Sequence, residues 1–265
     1  MARSQAPRLL APTSWIAIQI PVDKNISDSK SEEGKKWLEI IRPLTKDSQP
    51  GFEHGVWGRL IERPEEVWLI TGWESFEAIQ KFEESDVYKG QSKVMRELSA
   101  GEEPIITHAG LSGDFWNMLT DFTGITDVHF PKDIEDEAKK RVDDLRGLIY
   151  FFAPGKKSGK SAYNGKAIKG WVSEPVEFKE NQTRVMRYLH YWNSKEGEEE
   201  FKAEAGFVTE AGESKNIFSE WVAGLKDEGM LGMKEVHCKF ETIPWKFWDY
   251  TSEEEREMAE MDAEE

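Results

Sequence analysis

The sequence predicts an α+β protein built from two units with the ferredoxin-like order β-α-β-β-α-β. The first observation is a run of strand patterns separated by helical patterns, with strands predicted at Thr13–Val22, Phe52–Ile61, Val67–Trp73 and Pro104–Leu111. The second is a motif that recurs. Trp73-x-Ser75-x-Glu77-x4-Phe82 is matched by Trp192-x-Ser194-x-Glu196-x4-Phe201, and Trp192 follows Trp73 by 119 residues. The fixed offset favours an internal duplication.

Each copy of the motif has a local physical logic. The Trp ends an apolar strand, and the Ser two residues later is suited to cap a helix by accepting from its free N–H groups. The following Glu falls in the first turn, where the helix dipole favours a carboxylate. The Phe then faces the sheet. The alternative is that any strand leading into a helix produces this pattern.

The helices of the first unit are predicted from their apolar faces. Ser31–Leu44 reads as a helix capped by Ser31, a second helix begins after Ser75, and a third lies around Ser92–Leu98.

The second unit repeats the order with longer connections. Its expected elements, in chain order, are a strand at Val128–Pro131, a helix at Ile134–Leu148, a strand at Trp171, a strand at Arg184–Trp192, a helix after Ser194, a long helical region at Phe207–Leu225 and a last strand at Lys234–Thr242. The predicted organisation is an N-terminal arm (1–12), unit one (13–110), a docked linker (111–125), unit two (126–243) and an acidic tail (244–265).

Composition narrows the function classes. The net charge of −16 argues against general nucleic-acid binding, because no segment concentrates the cations that phosphates require. The 11 Trp and 14 Phe can build a large core. With Cys238 as the single cysteine no disulfide framework can form, and no apolar run reaches the length of a membrane span. We therefore expect a cytoplasmic protein without membrane contact.

A glycine- and lysine-rich stretch after Phe152 resembles a phosphate-binding loop. That motif needs four residues between its first Gly and the Gly-Lys-Ser, and Gly155 and Gly159 enclose only three. A solvated basic loop is the expectation.

The third strands of the two units differ in chemistry. Alternation places Met186, Tyr188, His190 and Trp192 on one face of the second unit's strand, and Val67, Leu69, Thr71 and Trp73 on the matching face of the first. The first set is nearly all apolar. The second predicts a pocket in which His190 is the acid or base and Tyr188 bonds a substrate oxygen, with Met186 and Trp192 as walls. The alternative is a half-buried histidine packed beside aromatic rings.

Other candidates are less specific. His108 and His237 fall in the last strands, His129 lies in the second unit's first strand and can join His190 if they share a face, and Trp73 ends the matching strand. Ordinary strand packing is the alternative for each histidine, and exposure is the expectation for His54. No zinc-type spacing occurs, so no metal is predicted. Salt bridges at the sheet rim are expected for strand arginines, which are Arg59, Arg184 and Arg187.

The pattern from Trp73 to Glu77, followed by Ala78, Phe82, Ser85 and Tyr88, resembles the dimeric α+β barrel superfamily, within it most closely the antibiotic-biosynthesis-monooxygenase type. The resemblance implies that two ferredoxin-like units pair their sheets as a barrel, here a pseudo-dimer within one chain that can associate further. It also implies a small aromatic molecule held between sheet and helices. Many single-domain relatives have His where this chain has Phe82, which weakens transfer of a catalytic role to that position.

The expected function is a tailoring oxygenase that acts on an aromatic or polyketide-like substrate in secondary metabolism without a cofactor. A base and a dry apolar cage are enough for a substrate anion to react with dioxygen itself. A cyclase, decarboxylase or haem-dependent enzyme on the same scaffold remains open. So does a non-enzymatic binding or stress-response protein with a filled barrel, because fold alone does not decide.

Overall fold

The computed structural model describes residues 10–112, 122–145, 148, 168–204, 206–209 and 211–244. The predicted basic loop, the centre of the linker and the acidic tail beyond its first residue lie outside these residues. We refer to 10–112 as the first half and 122–244 as the second half. Among the described helices, none is long and apolar enough to cross a bilayer.

The first half has the predicted β-α-β-β-α-β order, with its last helical region split into two helices. Its elements are β1 (Leu10–Gln19), α1 (Glu32–Ile41), β2 (Phe52–Arg59), β3 (Glu66–Trp73), α2 (Phe76–Glu83), α3 (Asp86–Leu98) and β4 (Ile105–Ser112). β1 starts three residues earlier than the alternation suggested. The predicted caps are confirmed, because Ser31 Oγ accepts from Gly34 N at 2.8 Å and Ser75 Oγ from Ala78 N at 3.1 Å.

The second half begins with the same order and carries extra strands. Its elements are β5 (Phe122–Pro131), α4 (Asp136–Asp144), β6 (Ile168–Trp171), β7 (Val176–Phe178), β8 (Asn181–Trp192), α5 (Lys195–Glu204), β9 (Gly206–Val208), β10 (Ser214–Asn216), α6 (Ile217–Asp227), β11 (Gly232–Cys238) and β12 (Glu241–Thr242).

The expected long helix at Phe207–Leu225 is wrong in its first part. β9 and β10 form a short antiparallel hairpin there, and Gly212 in its turn has a φ of +83°, a backbone conformation that a helix excludes. Asn216 then caps α6 by accepting from Ser219 N at 2.8 Å. The last predicted strand is also divided, since β11 and β12 pair with different sheets.

The described strands form two antiparallel five-stranded sheets. Sheet A has the order β12-β2-β3-β1-β4, and sheet B has the order β11-β5-β8-β6 with β7 on the end of β8. Two seams join their edges. At one seam Ala109 bridges Val172, and at the other Leu60 bridges Cys238. The strands therefore close around a shared interior.

Glycines allow the backbones to approach at the seams. A Cβ on Gly170 would lie 2.1 Å from the carbonyl oxygen of Gly110, and a Cβ on Gly58 would lie 2.5 Å from Cys238 Sγ. Both positions therefore exclude a side chain unless the neighbouring strand moves.

Three cores follow from this arrangement. The inter-sheet core lies between the sheets and contains Trp15, Trp68, Ile125, Leu189 and Tyr191. A helix-side core of the first half packs sheet A against α1–α3. A helix-side core of the second half packs sheet B against α4–α6. Alternate residues of each strand thus face either the inter-sheet core or a helix layer.

Candidate functional site

The aromatic candidates gather in the helix-side core of the second half. Met186, Tyr188 and Trp192 belong to this core, and His190 lies on the same face of β8. The rings of Tyr188 and His190 are parallel with centroids 6.0 Å apart. Trp221 of α6 stands edge-on to both, at 5.2 Å from Tyr188 and 5.6 Å from His190. We call Tyr188, His190, Trp192 and Trp221 the aromatic layer.

Trp221 was missed by the sequence reasoning. Its signal was present, because Ile217, Trp221 and Leu225 recur every four residues and are the buried side of α6. The residue falls within the region predicted as one long helix, and periodicity alone does not place it against β8.

Burial sets the protonation of the two polar groups. His190 has no exposed surface, and burial, followed by the charge of Lys202, lowers its pKa to about 3. Burial raises the pKa of the Tyr188 phenol. At neutral pH His190 is therefore an uncharged imidazole that can accept a hydrogen bond and that binds a proton only weakly, and Tyr188 is an uncharged phenol able to donate a hydrogen bond.

His237 lies beside His190 across one strand. Gly124 of β5 pairs with His190 of β8 on one side and with His237 of β11 on the other. A Cβ on Gly124 would lie 2.9 Å from Trp192 Nε1 and 3.4 Å from His237 Nε2. The missing side chain leaves room for these two rings to converge over the strand.

Two carboxylates hold the His237 ring. Nε2 is 2.7 Å from Glu198 Oε2 of α5, and Nδ1 donates to Glu62 Oε1 at 2.5 Å. The backbone N–H of His237 also donates to Glu62 Oε2 at 2.8 Å. Burial alone would lower the pKa of His237, but the hydrogen bonds to Glu198 and Glu62 raise it to about 8. The ring is thus an imidazolium at neutral pH.

Glu198, Glu235 and His237 are of the types that bind a divalent cation, and their ligand atoms lie within 4.8 Å of one another. An ammonium group already lies between the carboxylates. Lys202 Nζ is 2.7 Å from Glu198 Oε1 and 2.5 Å from Glu235 Oε2. The arrangement is satisfied as an ion-pair network, so we assign no metal to it.

His108 has a matching arrangement in the first half. Its Nδ1 donates to Glu174 Oε1 at 2.5 Å, its Nε2 is 2.8 Å from Glu83 Oε1, and its backbone N–H donates to Glu174 Oε2 at 2.7 Å. The hydrogen bonds to Glu174 and Glu83 raise its pKa to about 9. Each histidine therefore joins a glutamate of its own half to one of the other half across a seam.

We call His108 with Glu83 and Glu174, and His237 with Glu62 and Glu198, the two histidine clusters. The residues beside these clusters on β3 and β8 differ between the two halves. Ser14 pairs with both Thr71 and His108, as Gly124 pairs with His190 and His237. Thr71 is thus the counterpart of His190. In the first half Trp73 donates to Thr71 Oγ1 at 2.9 Å and packs on Phe82, so that layer is closed by apolar and hydroxyl groups. His108 and Trp73 do not meet the aromatic layer.

His129 faces away from His190. It lies on the inter-sheet side of β5, five residues from Gly124, stacked on Phe178 with centroids 4.1 Å apart. Burial lowers its pKa to about 4. The structure therefore does not join His129 to the aromatic layer.

The strand arginines behave differently from one another. Arg187 forms a bidentate pair with Asp127, at 2.7 Å and 2.8 Å, within the inter-sheet core and not at the rim. Arg59 and Arg184 bond to backbone carbonyls, among them those of Ile20 and Ser173. His54 is exposed, as expected.

Comparisons with known proteins identify the fold. No protein-family model matches the chain, and no curated protein matches it either. Among solved structures, an anthrone oxidase-like protein superposes with a TM-score of 0.57 at 12% identity, covering 90% of this chain and 96% of the other. A candidate monooxygenase of Fusobacterium nucleatum gives 0.55 at 10% identity, with 92% and 98% covered. One of Lactobacillus acidophilus NCFM gives 0.51 at 6% identity, with 89% and 97% covered.

These structures belong to the dimeric α+β barrel superfamily. Identities of 6% to 12% carry the fold and not the activity. The chain therefore has a mixed α+β fold with antiparallel sheets, and it shares that fold with these structures.

Proposed function

We propose that the protein is an oxygenase-like enzyme that uses dioxygen to oxidise a small aromatic, polyketide-like molecule held against the aromatic layer. The proposal rests on one observation above all. The helix-side core of the second half buries a neutral base, His190, and a phenol donor, Tyr188, where the first half has Thr71 and Leu69. The candidate monooxygenases and the anthrone oxidase-like protein of the same fold support it at a coarse level.

The chemistry needs only groups that the layer supplies. His190 would take a proton from an activated C–H of the substrate, and Tyr188 would donate a hydrogen bond to the oxygen that becomes negatively charged. The carbanion passes one electron to dioxygen, and the two radicals combine as a peroxide anion. Protonation and loss of water then give a ketone, so each substrate consumes one dioxygen and releases one water.

We also propose that the two halves are repeats and form a pseudo-dimeric barrel within one chain. The recurring motif supports this, as do the matched pairings Thr71–Ser14–His108 and His190–Gly124–His237. In this proposal the second repeat keeps the site, and the first repeat fills the matching position between its sheet and helices with packed side chains. A small-molecule tailoring role in secondary metabolism would suit such an enzyme.

Anthrone is a suitable first probe, because one structure of the same fold is described as anthrone oxidase-like. A dioxygen electrode with anthrone and purified protein should show uptake matched by anthraquinone formation. His190→Gln should lose most of that rate, whereas Thr71→Val, at the counterpart position, should keep it. Full turnover by His190→Gln would overturn the role of His190.

The tight ring packing favours a second candidate, a binding protein. Tyr188, His190 and Trp192 have no exposed surface, so a ligand must displace side chains to enter the layer. Mass spectrometry of what the protein releases on denaturation, together with its absorption spectrum, separates the readings. Release of an aromatic molecule without dioxygen uptake would support a binding protein. An intense haem absorption band would reject the cofactor-free mechanism in favour of a haem-dependent one.

A further inference from the structure

The core between the two sheets contains a buried cation with unused hydrogen-bond donors. Arg187 is 5% exposed, and its Nε and Nη2 atoms donate to Asp127 at 2.7 Å and 2.8 Å. Its Nη1 atom, which carries two N–H groups, is buried and has no hydrogen-bond partner among the residues that the structure describes. An unpaired buried donor is costly, so this edge of the guanidinium is suited to an acceptor from outside the chain.

Two indole rings border the guanidinium. Its central carbon lies 4.4 Å from the ring centre of Trp15 and 5.3 Å from that of Trp68. The centres of the two rings are 5.5 Å apart, and the rings are nearly perpendicular. Aromatic ligands pack well against the faces and edges of such rings. The surroundings of Nη1 therefore favour a ligand that joins an acceptor to a flat apolar body.

The two halves differ beside this cation. Trp68 precedes Arg187 by 119 residues, the offset that also separates Trp73 from Trp192. Trp68 pairs with Ala17 on β1, whereas Arg187 pairs with Asp127 on β5. The first half therefore has a methyl group next to the Trp68 ring where the second half has a carboxylate.

Solvent reaches this part of the inter-sheet core. Ala17 packs against the core but is only partly buried. The Asp127 side chain is 18% exposed, and Trp68 is 9% exposed. Exposure thus rises outward from Arg187, and a small molecule has an approach past Ala17 and the ring of Trp68.

The charges around Arg187 favour an anion. Lys234, Asp127 and Arg187 lie side by side on β11, β5 and β8, so this row carries one net positive charge. The neighbouring His129 adds none at neutral pH, because burial lowers its pKa to about 4. On the facing sheet, Glu66 is already paired at 3.0 Å with an arginine three residues earlier. A carboxylate bound to Arg187 would balance the row.

We propose that these residues form a binding site for a small aromatic carboxylate, which we call the Arg187 site. The carboxylate accepts from the N–H groups of Nη1, and the aromatic ring lies over Ala17 against Trp68, whose ring moves to admit it. A guanidinium binds carboxylates along more than one edge, so Asp127 keeps its own contacts. The site lies on the opposite face of sheet B from the aromatic layer and does not rest on the proposed function.

Fluorine NMR of protein containing 5-fluorotryptophan tests the site, with benzoate as the probe and benzamide as its uncharged counterpart. Ionic strength is held constant with chloride, and resonances are assigned by single Trp→Phe changes. Benzoate should shift the Trp15 and Trp68 signals saturably while those of Trp37 and Trp73 stay in place. Benzamide should bind about tenfold more weakly, because it lacks the charge-assisted hydrogen bond.

Two alanines of β1 supply matched variants that leave Arg187 untouched. Ala17 and Ala11 lie on the same face of the strand, and both are partly buried against the inter-sheet core. Ala17→Leu fills the proposed site and should weaken benzoate binding by about tenfold or more, whereas Ala11→Leu should leave it unchanged. Thermal unfolding of both variants checks that each is folded.

Lys234→Gln is a second variant, at an exposed side chain where folding is least disturbed. It removes the net positive charge of the row, so it should weaken the binding of benzoate but not of benzamide. Lys226→Gln on α6, also exposed, is its control and should change neither. Equal binding of benzoate and benzamide, equal effects of the two alanine variants, no saturable shift, or shifts confined to Trp192 and Trp221 would overturn the Arg187 site.

Discussion

Arg187 carries its charge into the core between the two sheets. The guanidinium carbon lies 4.4 Å from the ring centre of Trp15 and 5.3 Å from that of Trp68, and Asp127 binds two of its nitrogens. Nη1 has no hydrogen-bond partner among the described residues. The cation is therefore held by one carboxylate and two indole faces.

Removing either charge of this pair should be costly. Asp127→Asn leaves a buried guanidinium without its counter-charge, and we expect a loss of about 3 kcal/mol in the free energy of unfolding. Replacing both residues, as Asp127→Leu with Arg187→Met, should cost clearly less than the sum of the single changes. Urea denaturation of Asp127→Leu, Arg187→Met and the double variant measures this coupling, and additive losses would show that the pair contributes nothing of its own.

Lys169 donates hydrogen bonds to backbone carbonyls at the C-terminal end of α4. Its ammonium donates to the carbonyls of Asp143 at 2.5 Å, Val142 at 3.2 Å and Leu145, which lie at the C-terminal end of the helix. Lys169→Met should therefore destabilise the protein by about 2 kcal/mol, since three partly buried acceptors lose one donor. Lys140→Met on the exposed face of α4 is the matched control, and an equal loss there would contradict the role.

At the scale of single residues, the sequence predicted the direction of strand side chains well and their long-range contact partners poorly. Alternation in β8 correctly placed Tyr188, His190 and Trp192 on one face, because side-chain direction in a strand is a local property. Glu62 and Glu174 were missed as partners of histidines far along the chain, because those contacts form only when the seams close. Whether the aromatic layer binds a substrate remains a prediction.

The two seams join the edges of the sheets and connect secondary-structure elements of the two halves. Each has a strand bridge, a closely approaching glycine and a histidine held between two glutamates. In both cases one glutamate comes from a helix of the same half and the other follows a strand of the opposite half. The histidine clusters therefore cross-link elements of the two halves.

Stability should fall in mild alkali because of these clusters. Their folded pKa values of about 9 for His108 and about 8 for His237 lie above the ordinary 6.5. The stabilisation is fully present below pH 6.5 and is lost as the pH rises through about 8 and then about 9. Roughly 2–3 kcal/mol should disappear after allowance for solvent screening.

Thermal unfolding between pH 6 and pH 9.5 measures this loss. The wild-type midpoint should fall steeply over that range, and the double variant His108→Gln with His237→Gln should start lower and fall less. A parallel decline in both proteins would mean that the clusters do not bind the extra protons.

Across the whole molecule, the halves share a core, and the second half adds one strand to the sheet of the first. The inter-sheet core takes Trp15 and Trp68 from one half and Leu189 and Tyr191 from the other. β12 of the second half pairs with β2 of the first, which brings Ile243 into the helix-side core of the first half. The inter-sheet core therefore needs both halves, and the helix-side core of the first half needs Ile243 of the second.

The described chain should therefore unfold in one cooperative transition. Calorimetric and van't Hoff enthalpies should agree, and Ile243→Ala should lower the single midpoint with a cost of about 2–4 kcal/mol. Two resolved transitions, or a loss confined to one of them, would show that the halves are independent.

The order of the strands was predictable at this scale, but the addition of β12 to the sheet of the first half was not. The hydrophobic periodicity of the sequence predicts the order of each β-α-β-β unit, because periodicity is a local property. The division of the last strand depends on where the two sheets meet. Lys234–Thr242 was expected as one strand, and the residues between Cys238 and Glu241 turn it toward the other sheet.

The central claim is that a small aromatic molecule binds at the aromatic layer of the second half. ¹⁹F NMR of protein containing 5-fluorotryptophan, recorded with and without anthraquinone, tests it directly, with resonances assigned by single Trp→Phe changes. Our account predicts that the Trp192 and Trp221 signals shift while those of Trp37 and Trp73 stay in place. Shifts confined to Trp15 and Trp68 between the sheets, or no shift at saturating ligand, would contradict it.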